Sequence, residues 1–442
     1  MQKVRPLLQW PAVQRLCLAL VLVFGTAVPD RAAAHGRFPE THGVTFHPSN
    51  PAVIVTASTF GPVMSTDGGE TWRWSCEAAL MLNPLEDPSY VLMNDGSLLA
   101  SGFGGLQRGT PSLCLFREPD TDVGFAITDV ARSPNDPQVA FAPTSAGGGV
   151  SNRIFRTSDG GESWDPTSEP IEPILFESLI VGPGDELYLS GIYPVTAERR
   201  EPEPFVHRST DAGATWERFP FAPFAADDRT FLLLAVDPAD PDHLFAHVLP
   251  DFNADRAERL VRSIDGGESW TVVGEHRRLG DVLFAPDGTI FLGTEKVARP
   301  TDPTMPPEAF PHGLYRSDDG GETFETVRED LDVGCLGWHE GRLWACADNY
   351  QDGFLLGVSD DQGESFEPRL VLREMLGPVE CDPSESTPVA CEERDEDIIR
   401  DFEVGIPAPD GDGGGCATGG EGPAGATLLL VALALTIRQR SL

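Results

Sequence analysis

Basic side chains are scarce in this sequence: 32 Lys and Arg stand against 70 Asp and Glu, a formal net charge of −38. No basic stripe exists to pair with phosphates, so nucleic-acid binding is excluded. The acidic excess reads instead as a solvated surface that favours solubility. Tyrosine is rare, with 5 in the whole chain. No HExxH, P-loop or nucleophile elbow is present, which leaves zinc-protease, nucleotide-phosphate and serine-hydrolase chemistry without their residues. No CxxC pair offers a zinc site. No apolar run reaches the roughly 20 residues that a spanning helix needs. Glycine and proline, in contrast, are abundant at 46 and 39, and with 40% hydrophobic residues they suit a turn-rich all-β protein.

One stretch organises the chain. Ser65-Thr66-Asp67-Gly68-Gly69-Glu70-Thr71-Trp72 is followed by five close copies, Thr157–Trp164, Ser209–Trp216, Ser263–Trp270, Ser317–Phe324 and Ser359–Phe366. The pattern keeps a hydroxyl (Ser65, Thr157, Ser209, Ser263, Ser317, Ser359), an Asp (Asp67, Asp159, Asp211, Asp265, Asp319, Asp361) and a Gly (Gly69, Gly161, Gly213, Gly267, Gly321, Gly363). An aromatic closes each copy: Trp72, Trp164, Trp216, Trp270, Phe324 and Phe366. Carboxylate and hydroxyl can accept backbone N–H bonds, and Gly can take the positive φ that ends a tight turn. The aromatic then opens the next strand with its ring turned inward.

The motif resembles the Asp-box (BNR) repeat of sialidase-like β-propellers. The resemblance implies a structural turn between the two outer strands of a blade, away from the axial pocket where such proteins keep any chemistry.

Spacing sets the number of blades. The interval from Asp67 to Asp159 is about twice those that follow, so a decayed unit is expected near residues 115–125, with Leu115 to Asp120 as a strand running into a turn. A second series of short turns agrees. Pro48–Pro51, Asn94–Gly96, Pro134–Pro137, Pro183–Asp185, Pro238–Pro241, Pro286–Gly288 and Glu340–Gly341 each precede a real or expected box. Both series predict a seven-bladed β-propeller of four-stranded antiparallel blades, one with a decayed box. Each blade is expected to be one continuous segment, from an inner strand at Gly43–Phe46 to an outer strand at Glu367–Leu372. Long polar loops at 193–204, 249–259 and 295–312 are candidate partner surfaces.

Both ends carry addresses. Residues 1–34 read as a signal peptide, with Lys3, Arg5 and Arg15, the apolar Leu16–Phe24 and the small residues Ala32-Ala33-Ala34. Residues 35–400 are expected to hold the propeller and a disulfide-tied loop, and 401–423 an acidic Gly/Pro linker. Residues 424–442 form a hydrophobic sorting or anchor segment. Gly-rich linker, Cys416, apolar stretch and terminal arginines together resemble the MYXO-CTERM sorting tag, which implies display at the cell surface. A plain membrane anchor is the alternative.

Six cysteines remain: Cys76, Cys114, Cys335, Cys346, Cys381 and Cys391. An even count in an exported chain implies disulfides. Proximity suggests 76 with 114, 335 with 346 and 381 with 391.

No catalytic constellation stands out. The sialidase resemblance implies three arginines, a Tyr with a Glu beside it and an Asp, yet no Arg-Ile-Pro motif occurs, and only Tyr90, Tyr188, Tyr193, Tyr315 and Tyr350 could serve. Asp227-Asp228 could face the axis. His243 and His247 lie on one strand, about 13 Å apart by strand rise and too far for one metal. The reading is a protein- or glycan-binding module with no cofactor, no metal and no catalytic residues, most simply a monomer. The alternative is a glycosidase with a divergent site.

Overall fold

The computed structural model describes residues 39–82, 87–120, 123–147, 149–171, 174–195, 202–225, 228–250, 257–296 and 311–402. The expected signal peptide, the linker beyond residue 402, Cys416, the apolar segment 424–442, Asp227 and parts of the three long loops lie outside them. Among the described residues, no helix is long and apolar enough to cross a membrane.

Seven four-stranded antiparallel sheets follow one another, each built from four strands consecutive in sequence. Their inner strands are Thr41–Phe46, Ser89–Leu92, Ala131–Arg132, Leu175–Val181, Asp228–Asp237, Leu279–Phe284 and Leu336–His339. The sheets form a β-propeller, and the blades are numbered here in chain order. Apolar clusters fill the spaces between adjacent blades. One joins Phe205 and Leu187 of blade four to Phe141 and Ile154 of blade three, and another joins Val206 and Tyr188 of blade four to Phe231 and Val261 of blade five.

The six boxes take one geometry. In the first, Ser65 Oγ donates to Asp67 Oδ1 at 2.8 Å and accepts from Gly69 N at 2.9 Å. Asp67 then accepts from Thr71 N at 2.9 Å and from the Thr71 hydroxyl at 2.6 Å. The same bonds recur around Asp159, Asp211, Asp265, Asp319 and Asp361. Each Trp indole N–H donates to the box Gly carbonyl, as Trp164 does to Gly161 at 3.3 Å. The Gly also lets two blades meet. A Cβ on Gly321 would lie 2.2 Å from Phe245 of the preceding blade, and Gly321 has φ +77°.

The decayed unit is displaced from its expected place. Phe116–Arg117 is the outer strand of blade two and pairs with Gly105–Gly109, so the turn precedes Phe116 instead of following it. Gly109 to Phe116 has the length of a box. Pro111 stands at the Asp position, and Leu113, at the Gly position, has φ +58°. The amides that a box Asp would accept turn to neighbouring hydroxyls, Leu115 N to Thr110 Oγ1 at 3.3 Å and Cys114 N to Ser112 Oγ at 3.4 Å. The turn's carbonyls are held from far along the chain: Thr387 Oγ1 donates to Leu113 O at 2.8 Å, and Thr387 N to Cys114 O at 3.2 Å.

Those residues belong to an element the sequence reading missed. Ser386–Asp401 is an α-helix, where a tied loop was expected and where the linker was expected to begin. Two of the three expected cysteine pairings are also corrected. The bonds are Cys76–Cys391, Cys114–Cys381 and Cys335–Cys346, so only the last follows proximity. The helix lies on the rim of blades one and two, where Trp74 Nε1 donates to Asp395 at 2.8 Å and Arg394 pairs with Glu77 at 2.7 Å. Ahead of it, Leu376 to Val379 run beside the outer strand of blade one, with Leu376 N to Trp72 O at 3.0 Å and Val379 N to Trp74 O at 2.8 Å. The chain end thus clasps blade seven to blades one and two.

Candidate functional site

A propeller has two faces, and the boxes occupy one of them together with the turns between first and second strands. The bond from Gly68 N to Ala52 O, at 2.9 Å, ties a box to such a turn. The opposite face collects the connections into each inner strand and those between second and third strands. There a cleft of about 410 Å³ opens over blades six, seven and one. Glu40, Glu295, Asp332 and Asp348 supply its acids, and Arg278, Lys296 and Gln351 its donors. Glu295 and Lys296 sit at the start of the expected loop 295–312.

Burial dominates the electrostatics of the cleft. It pushes the Glu295 carboxyl up to about 7 against the pull of Arg278, with which Glu295 pairs, and the nearby Asp332 and Glu40 add to the rise. Asp332 is raised for the same reason, although it accepts from Lys296 N at 2.8 Å. Asp352, behind the cleft, accepts from Asp332 N at 3.2 Å and Asp348 N at 3.1 Å, and so joins the two acidic loops. The arrangement presents carboxylates and a few donors to solvent on a firm backbone frame.

Three buried acids near the axis invite a catalytic reading, and two of them are occupied by the frame. Asp129 Oδ2 accepts from Leu179 N of blade four at 2.9 Å and Oδ1 from Val130 N at 2.8 Å. Asp281 repeats this with Leu336 N of blade seven at 3.0 Å and Val282 N at 2.8 Å. Counted back from the box along the strand pairings, Ser89, Asp129, Ser178 and Asp281 are equivalent positions. Ser178 Oγ likewise accepts from Leu233 N of blade five at 2.9 Å. In blades three, four and six this position stitches the inner strand to the next, and burial raises Asp281 to about 6. The third acid, Glu177, is raised to about 7 by burial and accepts from the Phe231 backbone, while its Oε2 has no hydrogen-bond partner.

The other sequence candidates are dispersed. Asp228 is buried against Arg259 at 2.6 Å. His243 and His247 meet different carboxylates, Asp237 at 3.1 Å and Glu258 at 2.8 Å. Tyr188 and Tyr193 are buried in blade four, with Tyr188 donating to Pro241 O and Tyr193 beneath Arg218 at 4.2 Å. Tyr90 and Tyr315 are raised by burial, and Tyr350 is exposed on the loop that carries Asp348. The sialidase set of three arginines around a Tyr and a Glu is not assembled among the described residues, and the cleft holds Arg278 alone of the arginines. The cleft itself escaped the sequence reading because its residues come from five connections with no shared period.

No protein-family model and no curated protein matches the chain. Among solved structures it is similar to an ancestral GH74 enzyme, at 14% identity and a TM-score of 0.45, over 78% of this chain and 56% of that one. It is similar to a Hadza microbial sialidase at 15% and 0.39, over 67% and 71%. The β-propeller domain of the trilobed protease from Pyrococcus furiosus aligns at 8% and 0.47, over 77% and 98%. The chain spans between about two fifths and just over half of the length of the first solved structures it matches. What it has in common with them is the fold, and the chain is a seven-bladed β-propeller.

Proposed function

We propose that this chain is an extracellular binding module, whose cleft over blades six, seven and one takes a protein or glycan ligand carrying positively charged or hydrogen-bond-donating groups. The observation that carries this reading is the cleft's own lining: Glu40, Glu295, Asp332 and Asp348 face one opening, and burial raises Glu295 and Asp332 above the usual carboxylate range. Acids suited to catalysis by burial, Asp129 and Asp281, are engaged in holding the ring. Three disulfides fit an oxidising compartment outside the cytosol. Display at the cell surface through a MYXO-CTERM-like tag belongs to the same proposal.

Peptide and glycan arrays probed with the purified protein test it. Saturable binding that Glu295→Gln together with Asp332→Asn weakens, without product release, is the expected result. Turnover of a fluorogenic glycoside that the same pair of substitutions abolishes would replace the binding reading with a glycosidase.

A further inference from the structure

On the box-bearing face, at the opposite mouth of the axis, a second pocket of about 510 Å³ opens between the ends of the inner strands of blades one, three and seven. Arg132, His47, Ser49, Trp338, His339 and Glu340 are among its lining residues. Arg132 is the arginine of this pocket, and it lacks the carboxylate partner that many arginines of the chain have. Arg108, Arg208, Arg259, Arg278 and Arg369 all meet carboxylates. Arg132 meets none among the described residues, and its guanidinium donates only to the backbone carbonyl of Leu92. Burial lowers its pKa, with no compensating acid.

A cation withdrawn from water without a counter-charge is costly. It is costlier to explain in a chain of net charge −38, where acids are everywhere available to pair with it. The remaining donors of Arg132 form part of a planar fork, which matches the two oxygens of a carboxylate. His47 completes the polar wall. Its Nδ1 accepts from Ser49 N at 3.2 Å and Asn50 N at 3.1 Å, so the ring proton resides on Nε2, which is left as a donor. The other wall is flat: His339 stacks on Phe46 at 4.4 Å with 6° between the rings, held by its Nε2 donating to Pro51 O at 2.9 Å.

We infer that this pocket binds a small carboxylate attached to a flat or ring-shaped body, with Arg132 and His47 Nε2 holding the carboxylate and the His339–Phe46 stack covering the ring. The site is separate from the acidic cleft on the other face, and its ligand has the opposite charge. Glu340 at the rim disfavours a ligand with a second negative group nearby.

The test is calorimetric and NMR titration of the disulfide-bonded protein with glucuronate, benzoate and sulfate at pH 7. Glucuronate or benzoate is expected to bind and to move the His47 imidazole resonances. Arg132→Gln should weaken that binding about tenfold or more, and Arg132→Lys should retain part of it. Melting curves of both variants establish that the ring is intact. No binding by either carboxylate, or binding indifferent to Arg132→Gln in a folded protein, overturns the site. Sulfate binding as tightly as both carboxylates overturns its assignment to a carboxylate.

Discussion

Asp281 reaches from the inner strand of blade six to accept the amide of Leu336 in blade seven, at 3.0 Å. The bond closes a gap that no backbone pairing bridges, since each blade is its own sheet. Asp281→Ala leaves two amides, those of Leu336 and Val282, without their acceptor in a buried setting. A loss of about 1–3 kcal/mol is expected in urea unfolding. A variant as stable as the parent would show that the stitch carries no weight.

The three disulfides should differ in worth according to the chain they enclose. Cys76–Cys391 and Cys114–Cys381 span 315 and 267 residues, Cys335–Cys346 only 11. Replacing both members of a long-range pair by Ser should cost about 3–5 kcal/mol, and the local pair about 2–3 kcal/mol. Denaturation of the three double variants under non-reducing conditions gives the order directly.

Stability should peak on the acid side of neutrality. Burial holds Glu177 and Glu295 at about 7 and Asp281 at about 6, while their unfolded counterparts ionise near pH 4. Between those values the folded state binds more protons, so stability falls as pH rises from roughly 4 to 7. The boxes act in the other direction. Hydrogen bonds from the Thr215 hydroxyl and amide hold Asp211 at about 2, and those from Ser365 hold Asp361 at about 2, so their contribution is complete above pH 4 and is lost as pH falls toward 2. Melting temperatures measured from pH 2 to 8 should therefore show a maximum near pH 4–5. A steady rise from pH 4 to 7 would contradict the assignment.

Within a box the aromatic should matter more than the acid. Trp164 is 1% exposed and packs between blades two and three, so Trp164→Ala should cost about 3–5 kcal/mol. Asp67 lies at an exposed turn where water can replace it, and Asp67→Ala should cost about 1 kcal/mol. Thermal unfolding of the two variants compares them.

The blade count was legible because the boxes and the short turns are local: each needs only eight or four neighbouring residues, whatever lies elsewhere. The pairing of Cys76 with Cys391 was not, because it depends on where blade seven ends in space. Helix Ser386–Asp401 was equally hidden. Its sequence is dominated by charge, and its buried residues, Thr387, Cys391 and Ile398, are too few to mark an apolar face. The decayed box was misplaced since Pro111 and Leu113 had erased the Asp and the Gly, leaving only Phe116 to be recognised. Arg132 could have been flagged by no motif. Its meaning lies in the lack of an acid paired with it, which only three dimensions reveal.

The clasp at the rim also sets an order of events. Every blade can form from residues already in hand, but the first blade receives its partner strand segment, its disulfide and its helix from residues 376–402. A chain emerging amino end first therefore carries its first blade before the residues that cover that blade's rim. Trp74 and Cys76 meet Asp395 and Cys391 only once that segment has been made, so the covalent lock on the first blade spans a separation of 315 residues.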